Sequence, residues 1–436
     1  MQTLGAEAGL SEYTAEEKVA VQRRTVKTLL ASQATGGVGL VATYIVTALL
    51  AKDITGSKAW ATVAAGCLSI GAALVSFPMA RLMRSKGRRV GLRTGYLVGA
   101  TGAGLALLAA ITRSYPLLCI GVLGAGAGNA ANLATRYAAS DLAPEATRAR
   151  TISFIVWATT LGSGTGSLVS GSASSIGESI GLPSKAGSYL LSGLMFLVAA
   201  TIVETRLRPD PLAVAGGLGK LDESGKQEKL SAGESLRLIL ANPAARLAVG
   251  AMIVSQVTMV GVMALTPLHM DEGGQTQNLI GLMMTFHILG MYLFSPVVGS
   301  LTDRIGQYPM LYIAGALCTA GAGWAALTPA DGRVGVFMGN FLIGLGWCFG
   351  VVAASSLIVS EFPIHQRVGV QGVGDLAMIG SGAFAGVFSG VLYTGLGYSG
   401  VNTGNAAFGA MLILGTAVTY LLVKRQSNME PAITTG

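Results

Sequence analysis

The stretch IGLMMTFHILGMYLFSPVVGSLTDRIGQY, residues 280–308, decides the fold. Its first part, 280–298, carries no formal charge and has the length of a bilayer-crossing helix. Gly299, Asp303, Arg304 and Gly306 then follow in quick succession, and from 309 the chain is apolar again. A membrane helix that ends in a short charged turn and re-enters at once fits this pattern. Residues 80–91, ARLMRSKGRRVG, do nearly the same earlier in the chain.

The rest of the sequence agrees with that reading. Of 436 residues, 51% are hydrophobic and only 11% are charged, with mean hydropathy +0.60. Soluble domains carry about a quarter charged residues, so an ordinary soluble protein is excluded. Twelve apolar runs are long enough to span: 29–51, 59–80, 92–112, 115–139, 151–172, 188–206, 246–268, 278–299, 309–327, 334–357, 369–393 and 401–423. The expected fold is an all-α membrane protein with twelve transmembrane helices. Of the 29 lysines and arginines, 24 fall on one side of this topology. The other side holds Lys52, Lys58, Arg113, Lys185 and Arg333. By the positive-inside rule both termini are cytoplasmic. The same rule accounts for the formal charge of +8 without a nucleic-acid partner. Residues 1–26 lack the short apolar core of a signal peptide.

The longest connection, 207–245, is rich in proline, glycine and mixed charge and divides the chain in two. Within it, SLRLILAN (235–242) has the pattern of a short surface helix. The expected layout is a cytoplasmic segment 1–28, a six-helix bundle 29–206, a cytoplasmic linker 207–245, a second six-helix bundle 246–423 and a tail 424–436. The halves repeat. Gly87 and Gly306, Pro144 and Pro363, and Arg148 and Arg367 are each 219 positions apart. One offset that fits two separate loops implies a duplicated six-helix unit. Since six is even, both copies insert with the same topology, related by an axis along the membrane normal.

GSLTDRIGQ (299–307) resembles the G-x-L-x-D-R-x-G-R signature of the major facilitator superfamily, which follows the second helix of each half. Gly299, Leu301, Asp303, Arg304 and Gly306 match, and Gln307 stands where Arg is usual. The first copy keeps Gly87, Arg88 and Arg89, but Ala80 replaces the first glycine and Arg84 stands at the acidic position. The resemblance covers nearly the whole chain. It implies the superfamily's pair of six-helix bundles, alternating access and a monomer. It also implies a gating role for the two loops on the cytoplasmic face. An Asp at a helix end can accept from the backbone N–H groups of a facing helix. The plainer reading is that these charges anchor loops at the headgroup level.

Polar groups inside spans are costly and therefore functional candidates. Asp375 lies about six residues into its span, roughly 9 Å deep at 1.5 Å per residue. His287 lies near the middle of its own. Burial favours the neutral form of each, so either can bind and release a proton as water access changes. The alternatives are a structural ion pair for Asp375 and a packing role for His287. Asn129, Asn132 and Arg136 are spaced three and four apart and share one helix face. The resemblance places spans 1, 4, 7 and 10 around a central cavity. It makes Gln33, Tyr44, Asn129, Asn132, Arg136, Gln256, Asn340 and Trp347 substrate-contact candidates. The alternative reading of Arg136 is snorkelling, and that of the amides is cross-linking between helices. GSGTGSLVSG (162–171) faintly resembles the glycine-rich signature of drug/proton exchangers but lacks its Gly-Pro pair; close helix packing is the simpler reading.

No metal site, cofactor or enzyme activity is expected. Cys67, Cys119, Cys318 and Cys348 form no CxxC pair, and His269, His287 and His365 are scattered. GSGTGS lacks the lysine of a P-loop. The expected function is secondary transport of a small, partly apolar solute across the plasma membrane by proton-coupled efflux. Proton-coupled or facilitated uptake is the alternative. A receptor or scaffold of the same architecture is the alternative from another class, and would be expected to carry a folded soluble extension. The expected partners are the bilayer, protons and the solute.

Overall fold

The computed structural model describes residues 13–183, 185–218 and 231–429. The N-terminal half holds α1 (Ala15–Thr55), α2 (Lys58–Lys86), α3 (Arg88–Thr112), α4 (Tyr115–Ser140), α5 (Arg148–Ser179) and α6 (Ala186–Arg206). The linker carries α7 (Pro211–Val214) and α8 (Ala232–Ala241). The C-terminal half holds α9 (Pro243–Glu272), α10 (Gln277–Tyr292), α11 (Ser295–Ile305), α12 (Gln307–Leu327), α13 (Arg333–Glu361) and α14 (Ile364–Met429). No strand occurs among the described residues.

The twelve expected spans map onto these helices with two differences, both with local causes. Span 8 is split into α10 and α11 at Leu293–Phe294, just before Pro296, whose missing N–H ends the ladder. Spans 11 and 12 run together as α14. Its apolar stretch Ile364–Arg425 has 62 residues and would reach about 93 Å as a straight helix, against a hydrocarbon core of about 30 Å. Gly397 (φ 64°, ψ −176°) breaks it into two helices, a conformation open chiefly to glycine. Several spans are also longer than their apolar runs. α1 starts at Ala15 because Thr14 and Glu17 form a reciprocal cap: the Thr14 hydroxyl accepts from Glu17 N–H, and Glu17 accepts from Thr14 N–H at 2.8 Å. The surface helix expected at 235–242 is α8, capped the same way by Ser231 and Glu234.

The repeat is visible in the backbone. Gly87 (φ 90°, ψ 166°) and Gly306 (φ 89°, ψ 169°), 219 residues apart, adopt nearly the same positive-φ turn. Each joins the second span of its half to the third. In the N-terminal half, α1 packs on α5 and α6, α3 on α4 and α6, and α2 on α4. In the C-terminal half, α9 packs on α14, α12 on α13 and α14, and α10 on α13. The halves meet through α2 against α14 and α5 against α11. Lipid tails are as apolar as the helices, so association rests on close packing of small residues. The buried glycines and alanines of α3 and α4 supply that contact.

Candidate functional site

Both ends of the described chain, the described parts of the linker and the Gly87 and Gly306 turns lie at one end of the bundle, here called the linker end. Two sets of polar side chains cross between the halves near it.

The first set is centred on Arg136. It lies four residues before the C-terminal end of α4, is only 2% exposed, and does not snorkel. Its Nη2 donates to Asp375 Oδ1 of α14 at 2.5 Å, its Nε to Ser355 Oγ of α13 at 3.1 Å, and its Nη1 to Leu133 O at 2.6 Å. The guanidinium lies 4.4 Å from the ring centre of Tyr137, whose hydroxyl is 3.5 Å from the same Asp375 oxygen. Asp375 is thus the partner of Arg136, across the boundary between halves. Removing two charges from water is tolerable only when they pair and their remaining hydrogen-bonding groups are met. Ser355 lies 219 residues after Arg136, so the repeat places the two equivalent positions of α4 and α13 against each other.

Above this pair is a small cavity of about 50 Å³ lined by Gln33, Asn129, Asn132, Arg136, Tyr292 and Trp347 among others. Gln33 accepts from Thr135 at 2.5 Å and donates to Thr159 at 2.8 Å. The Tyr96 hydroxyl donates to Asn132 Oδ1 at 2.8 Å. Trp347 donates to Gln256 Oε1 at 2.8 Å and meets Tyr292 edge to face at 5.5 Å. Amides and aromatic faces therefore surround one space, and the only charged group lining it, Arg136, is already paired.

Three of the candidates read from sequence lie elsewhere. Tyr44 is half exposed and does not line this cavity. Asn340 is fully buried between α9 and α13, donating to Val336 O at 3.0 Å and to Thr266 Oγ1 at 3.3 Å, so it acts as a helix cross-link. His287 is also fully buried and places Nδ1 2.8 Å from Asn340 O. A carbonyl only accepts, so Nδ1 carries the proton. His287 and Asp375 thus belong to separate networks.

The second set is the two signature turns. Asp303 accepts from the backbone N–H groups of Ala149 and Arg150, each at 2.9 Å, in the first turn of α5. That is an acid at a helix N-terminus belonging to the other half. Arg304 is exposed and makes no ion pair among the described residues, so the contact between halves at this turn is made by Asp303. Gly299 lies against Ser153 and Ala149 of α5, where a side chain would collide.

In the N-terminal half the contacts of this turn are built differently. Arg88, 1% exposed, makes a two-pronged bond to Asp141 (2.8 and 3.0 Å) and also donates to Gln371 Oε1 of α14 at 2.8 Å. Arg89 and Arg93 both pair with Glu204, at 2.5 and 3.0 Å, and Asp210 accepts from Arg89 N–H at 2.7 Å while lying against Gly87. Acids at the C-terminal cap of α4, in α6 and in the linker hold Arg88 and Arg89 of the signature and the nearby Arg93. The acid missing at Arg84 has a reason. α14 begins at Ile364, three residues before the position equivalent to the start of α5. The N–H groups equivalent to those Asp303 holds are therefore spent inside the helix.

Tyr137, Asp141, Ser355 and Gln371 were not singled out from sequence. Ser355 was recoverable by adding 219 to Arg136; the others have no sequence signal, since their roles depend on which helices meet.

A model of the Major Facilitator Superfamily matches residues 29–274 and 247–435. The chain is 35% identical over 403 residues to the MFS-type transporter YddS of Bacillus subtilis (strain 168), covering 91% of each. It is 28% identical over 393 residues to the riboflavin transporter RfnT of Brucella anthropi, covering 87% of this chain and 92% of that one. Among solved structures it resembles a bacterial homologue of the iron transporter ferroportin in an outward-facing state. That match has TM-score 0.70 and 14% identity, over 91% of this chain and 99% of the other.

Proposed function

The chain belongs to the Major Facilitator Superfamily and is a multi-pass membrane transporter, and on that footing we propose that it couples solute efflux to proton entry through Arg136 and Asp375. The observation that carries this reading is the buried Arg136–Asp375 pair joining the two halves. In this reading the linker end faces the cytoplasm of a cell whose plasma membrane holds the protein, as the distribution of 24 of its 29 lysines and arginines suggests.

The cycle follows from the electrostatics. With Asp375 ionised, its attraction to Arg136 holds the linker end shut. A proton that reaches Asp375 from the outer side neutralises it and leaves Arg136 with uncharged partners only, the Ser355 and Tyr137 hydroxyls and Leu133 O. The linker end then opens and the proton departs inward. Closure re-forms the pair and carries the solute outward, provided the solute is required for closure. The driving force is the proton gradient across the membrane, and the difference in proton and solute affinity between the two states is what couples it to the solute. The solute is small and partly apolar, held by the faces of Trp347 and Tyr292 and the amides of Gln33, Asn129 and Asn132.

Uptake is the second reading, favoured by the similarity to a riboflavin transporter. The pair works identically there, but the solute accompanies the protonated leg. The test uses purified protein in liposomes with a pH-sensitive dye inside, an imposed proton gradient and a panel of solutes including riboflavin. Efflux predicts solute and proton moving in opposite directions, and uptake predicts the same direction. In both, flux disappears in Asp375→Asn. Solute movement without proton flux, unchanged in Asp375→Asn, refutes coupling and leaves a facilitator.

A further inference from the structure

Two concavities meet on the outside of the C-terminal half, at the end opposite the linker. One is an open surface hollow lined by Trp324, Thr328, Asp331, Arg333 and Val334 among others. The other is a groove of about 450 Å³ between α10 and α13, lined by Leu279, Leu282, Phe286, Phe337, Met338 and Phe341 below Arg333 and Val334. The two share Arg333 and Val334. The groove walls are apolar, and its volume is within the range of small-ligand pockets, about 300–1,000 Å³. Phe286 and Phe337 meet edge to face at 5.7 Å along it. From Arg333 to Phe341 the groove descends about 12 Å at 1.5 Å per residue, most of the way through one leaflet of a core about 30 Å thick.

The charges at the mouth are specific. Arg333 and Asp331 are both exposed, and neither side chain has an ion-pair partner among the described residues. Arg333 is the only lysine or arginine that the topology puts on this side of the C-terminal half. Trp324, nearly half exposed, stands beside them at the depth where tryptophan favours the membrane interface. A cation and an anion two residues apart, over an apolar slot of leaflet depth, complement a phosphate, an ammonium and an acyl chain.

We propose that this composite groove is a binding site for one phospholipid with a primary-amine headgroup, phosphatidylethanolamine, in the leaflet opposite the linker end. Arg333 takes the phosphate, Asp331 the ammonium, and the phenylalanines of α10 and α13 take one acyl chain. The site bears on transport because its walls are the neighbours of the α10–α13 seam. Phe286 precedes His287, and Phe341 follows Asn340. A seated chain therefore steadies the contact between His287 and the Asn340 carbonyl.

The test is native mass spectrometry of the full-length protein, delipidated and re-equilibrated with vesicles of phosphatidylethanolamine, phosphatidylcholine or phosphatidylglycerol. The site predicts one tightly held phosphatidylethanolamine per protein, retained about ten-fold over phosphatidylcholine. It predicts that Arg333→Gln lowers this retention about ten-fold. Asp331→Asn should equalise phosphatidylethanolamine and phosphatidylcholine. Leu282→Trp, which fills the exposed groove from its lipid side without touching the core, should displace the lipid while the protein still folds. Equal retention of all three lipids by the wild type, a preference for phosphatidylglycerol, or retention unchanged in Arg333→Gln would overturn the assignment and leave ordinary bilayer lipid in the groove.

Discussion

Gly372 of α14 lies against Ala80 of α2, and 219 residues out of step with each, Gly299 of α11 lies against Ser153 of α5. The two contacts are related by the repeat, and each holds one glycine, on opposite partners. Ala80 is thus no defect in the first signature. The glycine has moved to the facing helix, and the close approach between halves survives. Adding a side chain at Gly372 would drive it into Ala80. Gly372→Ala should therefore impede closure of the linker end, and Ala80→Gly in the same chain should restore it. Spin labels at Arg81 and His365, read by electron–electron distance measurements, would follow closure. A double variant as open as the single one would refute the compensation.

The Arg136–Asp375 pair makes a sharper energetic prediction. Breaking a buried pair strands a charge and typically costs about 3–5 kcal/mol, whereas replacing both partners by matched neutral groups costs far less. Asp375→Asn should lower thermal stability in detergent more than Arg136→Met with Asp375→Leu together. Strict additivity of Arg136→Met and Asp375→Leu, each measured alone, in the double variant would show that the pair contributes no coupling in the folded protein.

These two predictions also mark what sequence could and could not supply. The span count, the duplication and the Asp303 turn were legible because each is periodic or carries a spaced pattern. Asp375 and Arg136 stood out because charge is expensive inside a span. That they are partners was not legible. They lie 239 residues apart on helices that come together only when two bundles dock. His287 and Asn340 show the converse: polar residues in spans can find their partners within one half, His287 Nδ1 at a backbone carbonyl and the Asn340 amide at a threonine. Tyr44 lies on a cavity-forming helix but is half exposed and away from that cavity, because span number does not fix the face a residue takes.

Arg88 separates fold from gate. Its bond to Asp141 lies within one half, and its bond to Gln371 crosses between halves. A hydrogen bond to a charged group is worth about 1.5–3 kcal/mol. Gln371→Ala should keep the fold, since Arg88 keeps Asp141, yet shift the linker end toward opening by ten-fold or more, with 1.4 kcal/mol per decade. Asp141→Asn should instead lower thermal stability, because it leaves Arg88 buried without its counter-charge. If both variants lower stability alike and leave the distance distribution unchanged, the separation of roles is wrong.

The last prediction concerns the asymmetry of the two signature turns. Asp303 holds two first-turn N–H groups of α5, which are available because a 3₁₀ turn at Glu145–Thr147 delays that helix until Arg148. In the other half, Arg367 N–H already bonds Pro363 O, so α14 is under way by that point and the equivalent amides donate within the helix. An acid at position 84 would face no free donor. Removing the acid at 303 should weaken closure, with Asp303→Ala costing about 1 kcal/mol, near five-fold in the open-to-closed ratio. Supplying one at the equivalent site should not help: Arg84→Asp, buried at 6% exposure, should destabilise the protein. The same spin-label distances, combined with thermal unfolding, distinguish the cases. A tighter linker end in Arg84→Asp would mean that α14 frees its amides in the closed state, and the helix-start explanation for Arg84 would fail.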